Sequence, residues 1–283
     1  MTRIEQVQAA NLKVIKAVDH ICRSHGITYL LDAGTLIGAV RHQGFIPWDD
    51  DVDIAFLREE YEKFIAVAKK ELPEGMHLWF PSDFEALEVF YDFTPKIIYE
   101  NSRKRLPDED TAYYREELNH ICVDIFILDE ISENPFQRKL QILINKIIYG
   151  MAMGHRRRLD FSKYSLLQRL QVALLAGIGS SMDMKTLCKW ERWAALRQTK
   201  GTSGLLYYSN YQPDYVHMVV PREGSAQVIE VPFEGMKVMI PKGYDRVLTV
   251  VYGDYMTLPP EDKRKPTHGE VDAEGFFVDT EKN

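Results

Sequence analysis

Apolar residues recur at three- and four-residue steps through Ile4, Val7, Val14, Val18 and Ile21, with Asn11 as one polar intrusion. This spacing predicts an amphipathic helix over residues 3–24, stopped by His25 and Gly26. Ile27–Leu31 reads as a short strand, and Gly34-Thr35 leads from it into a helix-compatible stretch ending at His42. After a loop over 43–50, residues 51–57 alternate acid and apolar positions before turning fully apolar, as in a strand emerging from a core. Tyr61, Phe64, Ile65, Ala68 and Leu72 form a helical stripe that Pro73 and Gly75 end. Strand composition marks residues 77–80, 88–93 and 95–99, while the charged stretch 101–120 with Pro107 reads as an exposed excursion able to close over a substrate. Cys122–Leu128 is a β-like run with a single acid, Asp124.

From about residue 131 to 204 the pattern turns helical, with Phe136, Leu140, Leu143, Ile144, Ile147 and Ile148 on one helical face. Residues 205–260 return to short strands and turns, closing with a helix over 244–252 that Gly253 is placed to cap. The division expected is a catalytic core over 1–130, a helical segment over 131–204, a C-terminal segment over 205–269 completing the core, and a mobile tail over 270–283. The fold class is α/β (α+β), a mixed sheet flanked by helices.

Composition narrows the class. At 45% hydrophobic and 27% charged residues the chain is an ordinary globular one. A net charge of -7 and a pI near 5.7 offer no broad basic footprint, so nucleic acid is not expected as a partner. Cys22, Cys122 and Cys188 form no CxxC pair and sit among apolar neighbours, which fits a reducing compartment. The N-terminus lacks the apolar core of a signal peptide, and the longest apolar run, 172–179, falls far short of the ~20 residues that span a bilayer. A cytoplasmic protein is therefore expected.

The chemistry concentrates in Asp51-Val52-Asp53-Ile54. In a strand, carboxylates two apart project to one face, and two adjacent carboxylates repel unless a cation lies between them. Oxygen-only ligands with room for water and phosphate suit magnesium. Asp124, between Val123 and Ile125 in a separate strand, is the candidate third acid. Taken alone, the run Asp49-Asp50-Asp51 with Asp53 reads first as a solvated acidic turn, and Thr35 at least as readily as a plain helix cap; a strand-Gly-Thr-helix start favours a bound phosphate, and it is the combination that points to a site. The order of these pieces, a Gly-Thr turn, then Asp-x-Asp, then a further strand Asp, is that of nucleotidyltransferase-type sites. The histidines show no paired metal-ligand spacing, and GxSxG, Walker A and GxGxxG patterns are absent.

The segment LLDAGTLIGAVRHQGFIPWDDDVDIAF resembles the signature of the LicD family of phosphocholine transferases, which are related to fukutin-type glycan-modifying enzymes. The similarity extends to VPFEGMKVMIPKGYDRVLTVVYGDYMTLPPEDKRKPTHG and leaves the middle helical segment least covered. The resemblance implies a nucleotidyltransferase fold that uses Mg2+, or Mn2+ in its place, and a CDP-alcohol donor. It moves the phospho-alcohol onto a glycan hydroxyl, lipid-linked in some acceptors, and releases CMP. By position, Asp51 and Asp53 match the metal pair, Gly34 and Thr35 the phosphate-side turn, and Asp124 the third acid. In KIIYENSRK, Ile98 stands where a basic residue is expected, which leaves Lys96 as the candidate there. Arg264, Lys265 and His268 are candidates to fold back onto the donor phosphates, or form a solvated tail.

If the donor is CDP-choline, its quaternary ammonium calls for aromatic faces. Trp48, next to the acids, is the first candidate, followed by Tyr91, Phe93 and Tyr99. Transfer of another alcohol phosphate such as ribitol phosphate, transfer of a nucleotidyl group, and a non-catalytic glycan- or nucleotide-binding module are the alternatives. Finally, Arg156, Arg157, Arg158, Lys163 and Arg169 precede or enter a helix on which Leu166, Leu167, Leu170, Leu174 and Ile178 share a face. That pattern fits either a core helix or peripheral contact with the inner face of a membrane.

Overall fold

The computed structural model describes residues 1–197, 202–266 and 273–279. In chain order the elements are α1 (Arg3–Ser24), β1 (Leu30–Leu31), α2 (Ala33–His42), β2 (Asp53–Leu57), α3 (Arg58–Glu71), β3 (Met76–Trp79), β4 (Lys96–Tyr99), β5 (Ser102–Arg103), α4 (Glu109–Tyr113) and β6 (Ile121–Glu130). There follow α5 (Pro135–Ala152), α6 (Leu166–Gly179), α7 (Met184–Leu196), β7 (Leu205–Tyr208), β8 (Val219–Pro221), a single turn α8 (Arg222–Ser225), β9 (Val228–Phe233), β10 (Met236–Pro241), α9 (Tyr244–Tyr252) and β11 (Phe277–Val278). The chain divides into two compact units, one of residues 1–79, 96–127 and 220–283, the other of residues 80–95 and 128–219.

The first unit is a mixed α/β layer built on a sheet of order β1-β2-β6-β4-β3. α1 starts with a reciprocal Thr2–Glu5 capping box and buries Val7, Val14, Val18 and Ile21, as its periodicity predicts. These residues join Ile54 and Phe56 of β2, Phe64 of α3, and Val123 and Ile125 of β6 in one core. The β9–β10 hairpin adds Phe233, Val238 and Ile240 to it. Gly253 ends α9 at positive φ, its N–H returning to Thr249 O.

Three local expectations change. β2 begins at Asp53, so Asp51 and Val52 lie in the connection that leads into it. Residues 101–120 are no loose excursion: they contain β5 and α4, and Asn119, buried, ties the segment by accepting from Arg105 N–H at 3.2 Å and donating to Arg105 O at 2.9 Å. The stretch 270–283, read as a tail, includes the described residues 273–279, of which Phe277 and Val278 pair antiparallel with β5.

In the second unit, residues 81–87 form a 3-10 helix and 88–95 are irregular, where a strand over 88–93 was expected. The β-like composition there serves packing: Phe90 and Phe93 meet Tyr149 edge to face at centroid distances of 5.3 and 5.8 Å, in a core with Met151, Met184 and Leu187. Residues 128–130 of β6 pair with β7. The stripe predicted on α5 is split, since Ile148 is buried while Phe136, Leu140, Leu143 and Ile147 face solvent. Among the described residues no helix is long and apolar enough to cross a membrane.

Candidate active site

The acids gather because β1 and β2 pair and α2 turns off the end of β1. Asp32, extended at the N-cap of α2, donates its N–H to Asp53 O at 3.0 Å and accepts the Leu36 N–H at 2.9 Å. The next residue, Ala33, has φ of 46°, a left-handed conformation unfavourable for a residue with a Cβ and held only where the surroundings dictate it. Thr35 then accepts the Asp53 N–H on Oγ1 at 3.0 Å, with both residues buried. Thr35 is thus neither the helix cap, a position held by Asp32, nor a hydroxyl turned wholly to a ligand. It clamps the first turn of α2 to the first residue of the acid strand.

Gly34 has a different task. A Cβ built there would stand 2.8 Å from Asp49 Oδ2, so the missing side chain lets the Asp49 carboxylate approach the first turn of α2. Carboxylates are favoured at that positive end of a helix. Gly34→Ala is expected to change stability by less than about 1 kcal/mol, the helix gain offsetting the displaced Asp49. Thermal unfolding followed by calorimetry checks this: a loss well above about 1 kcal/mol would mean that Asp49 cannot yield to the added methyl.

The carboxylates of Asp49, Asp50 and Asp51 lie within 4.8 Å of one another. α1 holds this loop in place: Gln8 Nε2 donates to Ile46 O at 3.1 Å and Asp49 O at 3.0 Å, and Asn11 Nδ2 to Asp50 O at 3.5 Å. The polar intrusion in the α1 stripe is therefore a support for the acidic loop. Asp53 is buried, and its carboxyl is pushed well above the usual carboxylate range, first by burial and then by Asp51, Asp124, Asp32 and Asp49. Asp51 and Asp124 thus both act on Asp53, although Asp51 lies outside the regular strand.

Asp124 is directly opposite Lys96 in the β4–β6 register, with Lys96 Nζ 2.7 Å from Asp124 Oδ1. The Lys96 side chain is only 4% exposed. Its ammonium pairs with Asp124 at the edge of the acidic cluster. The Asp124 N–H donates to Val52 O at 3.0 Å, linking β6 to the residue between Asp51 and Asp53.

The remaining candidates are placed less centrally. The Arg264 guanidinium lies over the Trp48 ring, 5.9 Å from its centroid, so that aromatic face already carries a cation. Arg264 Nε also donates to Pro259 O at 2.8 Å. Lys265 is exposed, and His268 lies outside the described residues. Tyr99 is buried with its hydroxyl donating to Asp279 O at 2.7 Å, Phe93 is a core residue of the second unit, and Tyr91 is exposed. Tyr99 and Phe93 are therefore packing residues. Asp32 and Asp49, not singled out from sequence, both act on Asp53.

Residues 26–168 match the family model described as LicD/FKTN/FKRP, nucleotidyltransferase domain. The chain belongs to the LicD family. The LicD match takes in Gly34, Thr35, Asp51, Asp53, Lys96 and Asp124, and stops short of Arg264 and Lys265. Over 281 residues the chain is 31% identical to the lipopolysaccharide cholinephosphotransferase LicD of Haemophilus influenzae, covering 94% of this chain and 96% of that protein. It is also 42% identical over 128 residues to an uncharacterized protein of Rickettsia prowazekii, covering 41% of this chain and 47% of the relative. This LicD-family chain is thus a transferase whose nucleotidyltransferase domain carries a buried aspartate among four others, with one lysine set into the cluster.

Proposed function

We propose that the protein transfers phosphocholine from CDP-choline to a hydroxyl of a cell-surface glycan precursor, of lipopolysaccharide or teichoic acid type, and releases CMP. The reaction takes place in the cytoplasm, on an acceptor that is lipid-linked. The observation that carries the reading is the gathering of acids at one place within the matched stretch: the carboxylates of Asp49, Asp50 and Asp51 lie within 4.8 Å of one another, Asp53 is held by Thr35 at the start of β2, and the Asp124 N–H meets Val52 O between Asp51 and Asp53. The donor and acceptor chemistry follow the relative from Haemophilus influenzae, named a lipopolysaccharide cholinephosphotransferase.

The residues fit a hard divalent cation. A carboxylate as buried as Asp53, with four other carboxylates acting on it, must either keep its proton or share a cation. Oxygen ligands from Asp51 and Asp53, with Asp124 beside them, suit Mg2+ or Mn2+. When bound, such an ion supplies charge stabilisation to the non-bridging oxygens of the transferring phosphoryl group. Thr35 and the β1–β2 pairing fix the backbone of Asp53, and Lys96 orients Asp124. Asp124, with a side chain 31% exposed, takes the proton of the attacking sugar hydroxyl. The acceptor oxygen bonds to phosphorus as the phosphorus–oxygen bond to CMP breaks, and CMP leaves with the electron pair. Arg264, stacked on Trp48, supplies positive charge toward the donor phosphates.

A donor screen that reads CMP release tests this. CDP-choline with a lipopolysaccharide or teichoic acid precursor and Mg2+ is expected to give turnover, and CDP-ribitol little. A clear preference for CDP-ribitol overturns the choline assignment while leaving the metal site standing.

A further inference from the structure

The helical unit displays apolar surface where a globular unit normally displays charge. α6 turns Val172, Leu175, Ala176 and Gly179 inward, and glycines at 150, 154 and 179 let it lie close against the end of α5 and the turn after it; a methyl at Gly179 would collide with the Met151 carbonyl. At 100° per residue, Leu170, Leu174 and Ile178 fall on the opposite side. Leu170 is 64% exposed and Leu174 66%, and Leu166 and Leu167 are exposed as well. Arg169 is the one charged residue of α6.

α5 continues this surface. Phe136, 77% exposed, Leu140, Leu143 and Ile147 recur at three- and four-residue steps along one exposed side. Gly150, which packs on Leu175, lies three residues beyond Ile147 and seven beyond Leu143, hence on that same side. α6 therefore sits at the end of the α5 stripe, and the outward faces of the two helices open to the same side of the unit.

The charge around this surface selects its occupant. Residues 135–179, which hold α5 and α6, contain eight Lys and Arg against one Asp and no Glu, in a chain of net charge -7. Two copies meeting through this face would bring two strongly basic surfaces together, which disfavours self-association. Large aliphatic residues at its centre do not suit a polyanion in water. We infer that the outward faces of α5 and α6 form a docking surface for an anionic phospholipid bilayer, with the leucines entering the acyl boundary and the surrounding basic side chains meeting headgroup charge. Lys139 and Lys146 flank the α5 stripe by helical position, and Arg158 and Lys163 lie in the segment leading into α6.

This surface is independent of the transferase reading and is tested without turnover. The full chain is floated with vesicles of phosphatidylcholine alone and with an equal mixture of phosphatidylcholine and phosphatidylglycerol. Binding to the mixed vesicles is expected at low salt, weakening at high salt, with little binding to phosphatidylcholine. Leu170→Glu with Leu174→Glu should lower partitioning about tenfold or more with an unchanged melting temperature, because both side chains are already exposed. Arg158→Gln with Lys163→Gln should weaken binding to the mixed vesicles and flatten its salt dependence. The proposal is overturned if the wild-type chain stays with the soluble fraction at low salt, if it binds both vesicle types equally, or if the leucine pair unfolds the protein. It is equally overturned if sedimentation without vesicles shows a dimer that the leucine substitutions abolish.

Discussion

Asp53→Asn is expected to abolish transfer and, at the same time, to stabilise the protein in the absence of divalent ions. The two effects share one cause. Burial and four neighbouring carboxylates raise the Asp53 carboxyl well above its ordinary range. The folded state therefore holds a proton that the unfolded chain has already released, and metal-free stability falls as pH rises from the unfolded carboxylate range through the raised folded value. An amide has no such proton to lose, so the variant should lack this fall and melt about 3 °C or more above the wild type at neutral pH with chelator present. Adding Mg2+ should raise the wild-type melting temperature more at high pH than at low pH and leave the variant nearly unmoved. Loss of a ligand that places several kcal/mol of charge stabilisation should lower turnover about 10³-fold or more. Calorimetry at several pH values, paired with CMP release, checks both halves.

Lys96→Met is expected to have the second-largest effect, in the opposite direction on stability. The substitution keeps the volume of a side chain buried beside β6 but removes the cation 2.7 Å from Asp124. Breaking a fully buried pair costs about 3–5 kcal/mol and an exposed one under about 1 kcal/mol. With Lys96 buried and Asp124 partly exposed, a loss of about 2 kcal/mol is expected from denaturant unfolding without metal. The cluster also becomes more negative, so the carboxyl of Asp53 should release its proton at still higher pH, and the pH at which Mg2+ begins to stabilise the protein should move upward. Lys96→Arg should recover part of the stability. A stability equal to wild type in Lys96→Met would mean that the ion pair contributes nothing to the fold.

Much of this site was legible before the fold. The Asp51–Asp53 pair needed only local spacing, Asp124 needed in addition that its strand lie beside theirs, and the α1 and α3 stripes needed only helical periodicity. What escaped depends on pairing between distant strands. Asp32 follows the short strand Ile27–Leu31 with nothing in the local sequence to mark it, and only its backbone bond to Asp53 shows it to be a neighbour of the acids. Lys96 and Asp124 are 28 residues apart, and their contact is fixed by the β4–β6 register. Asn11 was visible as an anomaly, but its reason, the carbonyl of Asp50, requires α1 to lie over the acidic loop. The strand expected over 88–93 failed for a different cause: aromatic residues signal burial as much as extended backbone, and here the core takes Phe90 and Phe93 without a ladder.

Binding of a divalent ion by the carboxylates around Asp53, the proposed basis of phosphocholine transfer, is tested most directly by CMP release from CDP-choline with a lipopolysaccharide acceptor, for the wild type with Mg2+, the wild type with chelator, and Asp51→Asn and Asp53→Asn with Mg2+. Turnover is expected in the first case alone, with both variants folded; CMP release that persists in chelator, or near-normal turnover in either variant, would contradict it.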